Sequence, residues 1–144
     1  MIRVMPVQTD LEWEAARAIR FAVFVDEQRV PASEELDGYD AVARHWLALE
    51  DGAPIATARA VAKDDGWKIG RVAVLQPHRG RGVGLAIMRA ILADARASGA
   101  AAAYLDSQTH ALAFYERLGF AAEGPEFLDA GIPHRHMRLR LADA

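Results

Sequence analysis

The chain has 144 residues, 52% of them hydrophobic, and a formal net charge of −3. That length and composition fit one domain, residues 1–144, with a substantial core; the charge gives no general attraction to nucleic acid or to an anionic membrane. The lack of any cysteine excludes a disulfide framework, a thiol nucleophile and a cysteine-based metal site.

Residues 2–7 read as a short first strand. The opening Met1-Ile2-Arg3-Val4-Met5-Pro6 lacks the long apolar core of a secretion signal, so a cytoplasmic location is expected. Thr9-x-x-Glu12 has the spacing of a capping box. Trp13, Ala16, Ile19, Val23 and Phe24 then recur at helical spacing, which predicts a helix over residues 10–26. Residues 29–42, with Pro31, Gly38 and a run of acidic positions, read as a loop. Residues 44–50, 54–62 and 67–74 alternate between Asp51-Gly52 and Asp64-Asp65-Gly66, and predict an antiparallel meander. A second helix is expected over residues 82–98, with Ile87, Met88, Ile91, Leu92 and Ala95 facing the core and Gly99 ending it. The apolar stretch at residues 85–105 carries Arg89, Asp94 and Arg96, so it is no membrane span and no membrane partner is expected. A buried strand at 101–106, a helix from Thr109 to Leu118 and two strands, one from Phe120 and one holding Met137, Leu139 and Leu141, complete the chain. The order predicts an α/β fold: a mixed, mostly antiparallel sheet of about seven strands flanked by helices, with a strand–helix–strand crossover at residues 67–106.

Arg79-Gly80-Arg81-Gly82-Val83-Gly84 lies between the third meander strand and the second helix. Alternate glycines let backbone approach a ligand closely. The helix that starts there has unpaired N–H groups and the positive end of its dipole, a setting that binds phosphate. Two rival phosphate motifs fit badly. A dinucleotide fingerprint would need glycine at Leu85 or Ile87, and a nucleotide P-loop would need Gly-Lys-Ser/Thr. A solvated glycine-rich turn is the plainer alternative.

Val74 followed by Arg79-x-x-Gly82-x-Gly84, with Gln108-x-x-Ala111-x-x-Phe114-Tyr115-Glu116-x-x-Gly119-Phe120 downstream, resembles the two signatures of the GCN5-related N-acetyltransferases (the GNAT family). More narrowly, Phe24-Val25-x-Glu27-Gln28, Glu35-x-Asp37-x-x-Asp40, Ile69-Gly70-Arg71-Val72-Ala73-Val74 and Gly131-Ile132-Pro133-His134-x-x-Met137 resemble the ElaA-type branch. The resemblance spans about residues 3–140. It implies a GNAT-like fold and transfer of an acetyl group from acetyl-CoA to an amine, either a small molecule or a lysine side chain, with a homodimer as one possible assembly. It further implies that Val72, Ala73 and Val74 pair with the pantetheine arm as an added strand would. The turn of Arg79, Gly80, Arg81, Gly82, Val83, Gly84 and Leu85 would hold the pyrophosphate. Gln108 stands where the wider family often has Asn, and could still bond the cofactor. Tyr115 matches the tyrosine near the coenzyme A sulfur.

On periodicity alone Tyr115 is a core aromatic. With the resemblance it becomes the proton donor to the leaving thiolate. Glu27, at the end of the first helix, is either a solvated carboxylate or a general base, acting directly or through water. His134 is a second candidate base or substrate contact, because an imidazole ordinarily titrates near neutrality. Arg59 interrupts an apolar strand; facing inward it needs a carboxylate or a substrate. Glu34, Glu35, Asp37 and Asp40 form either a solvated loop or a negative rim that favours a cationic amine. His45, His78 and His110 read as structural or solvent-facing, and no His or carboxylate spacing suggests a metal. Besides the enzyme, a non-catalytic acyl-CoA sensor and another nucleotide-binding enzyme remain as readings.

Overall fold

The computed structural model describes residues 1–141, so the end of the expected 1–144 domain lies outside the described residues. Seven strands, β1 (Ile2–Pro6), β2 (Arg44–Glu50), β3 (Ala53–Lys63), β4 (Gly66–Val74), β5 (Ala102–Gln108), β6 (Ala121–Asp129) and β7 (Ile132–Arg140), form one sheet in the order β1-β2-β3-β4-β5-β7-β6. Only β4 and β5 are parallel neighbours. The expected mixed, mostly antiparallel α/β sheet is therefore observed. The helices are α1 (Asp10–Arg20), α2 (Ala32–Glu35), α3 (Val83–Ala97) and α4 (Leu112–Glu116). Among the described residues no helix is long and apolar enough to cross a membrane.

The two sides of the sheet are covered by different helices because the strands alternate. Trp46 and Ala48 of β2 point to α3, where Ile87, Met88, Ile91, Leu92 and Ala95 are all buried. Leu47, between them, points to α1 and packs with Ala16, Ile19 and Val23. This period of two against 3.6 fixes the register. The capping box forms as its spacing requires. Thr9 Oγ1 accepts from the Glu12 amide at 3.1 Å, and Glu12 Oε1 accepts from the Thr9 amide at 3.0 Å. Gly99 has φ +85°, and the Ala100 amide returns to the Ala95 carbonyl at 3.1 Å, closing α3.

Three expectations are corrected. The first helix keeps α geometry only to Arg20; Phe21–Glu27 continues as a π-helical segment, with the Gln28 amide bonded to the Val23 carbonyl at 3.1 Å. The loop at 29–42 contains the short α2. The helix expected from Thr109 to Leu118 is a 3₁₀ turn at Thr109–Ala111 followed by α4.

Two irregularities in β4 set up the site. Its parallel pairing with β5 lasts only from Gly66↔Ala102 to Lys68↔Tyr104. On its other side Thr57 faces Ala73 but Arg59 faces Gly70, so β4 carries one extra residue there. Arg71, with φ +51°, sits in this bulge. A Cβ on Gly66 would run into the Ala102 carbonyl and the Tyr104 ring, while one on Gly70 meets nothing within 4 Å. Gly66→Ala is therefore expected to force the short parallel pair apart and cost about 2 kcal/mol or more. Gly70→Ala should leave urea stability nearly unchanged. Equal midpoints for the two variants would contradict the close strand approach.

Candidate active site

Beyond Lys68 and Tyr104 the two parallel strands part, and a cavity of about 670 Å³ opens between them. β4 lines it with Ile69–Val72 and β5 with Leu105–Gln108; Tyr115 and His134 close it on the β7 side. The π-helical segment and the loop after it supply the opposite wall, including Phe24, Gln28, Glu34 and Asp37. Of the residues singled out in the sequence, Val72, Gln108, Tyr115, Asp37, Arg59 and His134 share this cavity. Ala73, Val74, Glu27 and the Arg79–Leu85 turn do not line it. They lie where β4 runs on toward α3: Arg79 Nε donates to the Val74 carbonyl at 2.9 Å, and a Cβ on Gly84 would sit 3.3 Å from the Phe114 ring and 3.8 Å from the Val74 side chain.

The turn has the backbone that the sequence suggested. Gly80 and Gly82 have φ +76° and +79°, with nothing within 4 Å of a Cβ at either. Gly82 is the N-cap of α3, and no side chain caps it. The first helical bond runs from Ala86 to the Gly82 carbonyl at 3.0 Å, so the amides of Val83, Gly84 and Leu85 precede the ladder. Both arginines of the turn meet carboxylates. Arg79 holds Glu27 through two nitrogens at 2.9 and 2.8 Å, and Arg81 holds Glu50. Glu27 is thus an exposed carboxylate held in an ion pair.

The acidic loop is corrected further. Glu35 is only 1% exposed, and three carboxylates of the loop meet three arginines from other elements. Arg20 of α1 binds Glu35 at 2.6 Å and Asp40 at 2.7 Å. Arg59 of β3 binds Asp37 at 2.7 Å and Asp40 at 2.9 Å. Arg71 of the bulge reaches Glu35 at 3.3 Å and Asp37 at 3.4 Å. Those three positive and three negative charges cancel, so three of the four acidic residues are neither simply solvated nor an uncompensated rim; Glu34, exposed and lining the cavity, is in no ion pair among the described residues. Arg20 and Arg71 were not singled out, although a lone arginine four residues after buried Ala16 signals an inward charge. His45 lies behind this network with Nε2 3.1 Å from the Asp40 carbonyl and Nδ1 unpartnered. Burial pushes its ring below the usual histidine range, partly offset by Asp40.

Tyr115 packs edge-on to Phe114 and Phe120. Its hydroxyl bonds no protein group among the described residues. Burial alone pushes it up to about 12, so the phenol stays protonated at any working pH. Gln108 is engaged at both ends of its amide: Nε2 donates to Gln28 Oε1 at 2.8 Å, and Oε1 lies 2.6 Å from His110 Nε2. His134 is 9% exposed, stacks on Phe127, and has Nδ1 2.7 Å from the Ile132 carbonyl. Among the described residues no group of three or more His, Asp or Glu is arranged to hold a metal.

The fold that carries this cavity superposes on solved structures over nearly its whole length. Escherichia coli ElaA superposes with a TM-score of 0.87 at 30% identity, over 97% of this chain and 100% of that one. An acyl-CoA N-acyltransferase from Pseudomonas aeruginosa gives 0.86 at 34% identity, over 96% and 99%. The uncharacterized N-acetyltransferase YjcF of Bacillus subtilis is 41% identical over 83% of this chain and 86% of its own length. Residues 10–141 match the family described as acetyltransferase (GNAT) domain, and the chain belongs to that family. Its class of activity is acyl transfer from an acyl-CoA.

The pairing of Asp37 has a pH signature. Hydrogen bonds from Arg59 hold its carboxyl at about 2, below the 3.8 of a free group, against a smaller opposing effect of burial. A depressed folded value adds stability above 3.8 that is lost as pH falls toward about 2. With the side chain 32% exposed, this is on the order of 1 kcal/mol after screening. The melting temperature should drop across that window in wild type and less steeply in Asp37→Asn. Parallel curves would mean the Asp37–Arg59 pair contributes nothing in solution.

Proposed function

We propose that the chain transfers the acetyl group of acetyl-CoA to a primary amine, of a small molecule or a lysine side chain, by direct attack of the amine on the thioester. The observation that carries this reading is the meeting in one cavity of the unpaired edge of β4 and the free hydroxyl of Tyr115, next to the unpaired first turn of α3. The cofactor fits these residues. The amides of Val83, Gly84 and Leu85 face an anion with the helix dipole behind them. Arg79 and Arg81 stand beside the same turn. The stretch Val72-Ala73-Val74, beyond the reach of β5, can accept an extended amide chain as an added strand. When bound, acetyl-CoA supplies an activated acyl group whose thiolate departs.

The chain's own part in the reaction follows from these positions. An amide of β4 near Val74 would donate to the acyl oxygen of the bound thioester as negative charge develops there. Tyr115, protonated at the outset, hands its proton to the departing sulfur. Gln108 ties the π-helical segment, through Gln28, to the end of β5 and so keeps the two cavity walls together. Asp37 and Arg59 act as a pair at the acceptor wall, and with the Arg–carboxylate network neutral in itself, Glu34 is left as that wall's unpaired carboxylate.

Acetyl-CoA should raise the melting temperature, while NAD and ATP should not, because only a ligand of the folded state does so. Gly82→Val strains a left-handed residue and places side-chain bulk at the phosphate turn. It should weaken acetyl-CoA in calorimetry far more than Arg96→Ala on the exposed face of α3. Equal affinities with both variants folded would remove the turn as the phosphate site.

Tyr115→Phe should lower kcat by ~10-fold or more with acetyl-CoA binding nearly unchanged. An unaltered kcat, with chemistry rate-limiting, would return Tyr115 to packing alone.

A further inference from the structure

An amine arrives at a thioester as an ammonium ion and ends as an amide, so its nitrogen gives up two protons. The coenzyme A sulfur takes one. The other needs an acceptor beside the cavity, and the bonding of each candidate narrows the choice. Glu27 lies outside the cavity lining and is clamped by two nitrogens of Arg79. Glu35 and Asp37 are bound by arginines. Asp106 of β5 is held by Lys68 at 3.1 Å and by His136 Nδ1 at 2.9 Å. His110 Nε2 faces the Gln108 amide oxygen.

Glu34 and Asp129 line the cavity in no ion pair among the described residues, but both are exposed. His134, 9% exposed, differs from all of these. A backbone carbonyl only accepts hydrogen bonds, so the 2.7 Å contact with the Ile132 oxygen places a hydrogen on Nδ1. The neutral ring then carries its lone pair on Nε2, which has no hydrogen-bond partner among the described residues. Stacking on Phe127, at 5.9 Å between centroids and 27° between planes, fixes the ring. The β5–β7 register sets His134 opposite Gln108, and from Gln108 the chain passes through one 3₁₀ turn into α4, which carries Tyr115. Both His134 and Tyr115 line the cavity.

We propose that His134 is the general base of the acetyl transfer, an assignment that rests on the acyl-transfer reading above. Nε2 takes one proton from the ammonium and frees the nitrogen lone pair. The C–N bond forms and the C–S bond breaks. Tyr115 protonates the thiolate, and the second nitrogen proton restores the phenol. The imidazolium releases its proton to solvent, leaving an amide, a thiol and one proton. The other charged groups facing this space are Glu34, Glu35 and Asp37 from the loop and α2, Arg59 and Lys63 of β3, Lys68 and Arg71 of β4, Asp106 of β5 and Asp129 of β6, with His110 and Tyr115 after β5. His136 and Arg135 flank His134 on its own strand.

The test follows kcat/KM against pH for wild type, His134→Gln, His134→Asn and His136→Gln, with acetyl-CoA and two acceptors: a primary alkylamine, and an arylamine or hydrazine already unprotonated at neutral pH. Acetyl-CoA affinity and the melting shift it induces are measured on each variant. In wild type, activity with the alkylamine should fall on the acid side. Both His134 variants should lose ~10²-fold or more with the alkylamine, lose that acid inflection, and keep acetyl-CoA affinity. Their loss with the pre-deprotonated acceptor should be much smaller. The assignment is overturned if the inflection survives in the His134 variants, if the two acceptors suffer equally, or if the inflection vanishes in His136→Gln instead. A wild type that binds acetyl-CoA but acetylates neither acceptor overturns the acyl-transfer reading itself, and the assignment with it.

Discussion

β4 and β5 run side by side for three residue pairs and then part, and the rest of the site depends on that parting. A strand in the middle of a sheet ordinarily has each amide and carbonyl paired. Where β5 leaves, β4 keeps one edge without a partner, in a cavity also lined by the π-helical segment, α2 and α4. Two local features enforce this. Gly66 lets the strands touch at the start, because any larger residue meets the β5 backbone. The extra residue at Arg71 bends β4 on its other side, so that the strand turns away from β5 while staying on β3. Tight contact at one end and a bend in the middle make a wedge whose open end faces the start of α3. A glycine-capped helix and a parted strand edge, each ordinary alone, become a continuous binding surface because β4 runs into the turn that begins α3.

The charged network answers a second constraint. The loop between the π-helical segment and β2 must form a cavity wall, but it has few apolar residues with which to hold a position. Arg20, Arg59 and Arg71 come from three separate elements and converge on Glu35, Asp37 and Asp40. Buried ion pairs roughly break even against apolar packing, while removing one member costs about 3–5 kcal/mol. The network therefore adds little net stability, and its effect is geometric: it sets the loop against α1, β3 and the bulge at once. Arg71 is both the bulged residue and a member of the network, so the bend in β4 and the place of the loop are coupled through one side chain.

The seven strands, the sides of the sheet and the start of α3 were legible because they rest on local rules: alternation, helical spacing, a capping box and glycine at positive φ. The site was legible in its backbone parts for the same reason, and in Tyr115 and His134 through resemblance. What the sequence concealed depends on contacts distant along the chain. The acidic run at Glu34–Asp40 reads as a solvated loop or a rim until its arginines, 15 to 37 residues away, are seen to meet it. The pairing of Glu27 with Arg79 spans 52 residues and leaves no mark in either neighbourhood. The change to π-helical bonding after Arg20 is a shift of one hydrogen-bond partner, and the apolar spacing of Val23 and Phe24 suits either form.

Tyr115 shows how burial and mechanism constrain one another. A phenol that burial has pushed up from 10 to about 12 is a weaker acid than it would be in water, and toward a thiolate still solvated as in water the transfer would be uphill. The cavity that desolvates the phenol also desolvates a sulfur placed against it, and an apolar setting raises a thiol as it raises a phenol. The two groups then shift together and the gap narrows. A wetter cavity would lower the tyrosine but would also stabilise the free thiolate, so the acid would have less to do. On the proposed mechanism, the edge-on packing of Tyr115 against Phe114 and Phe120 would serve the chemistry as well as the core, since it would keep donor and leaving group in the same dry surroundings.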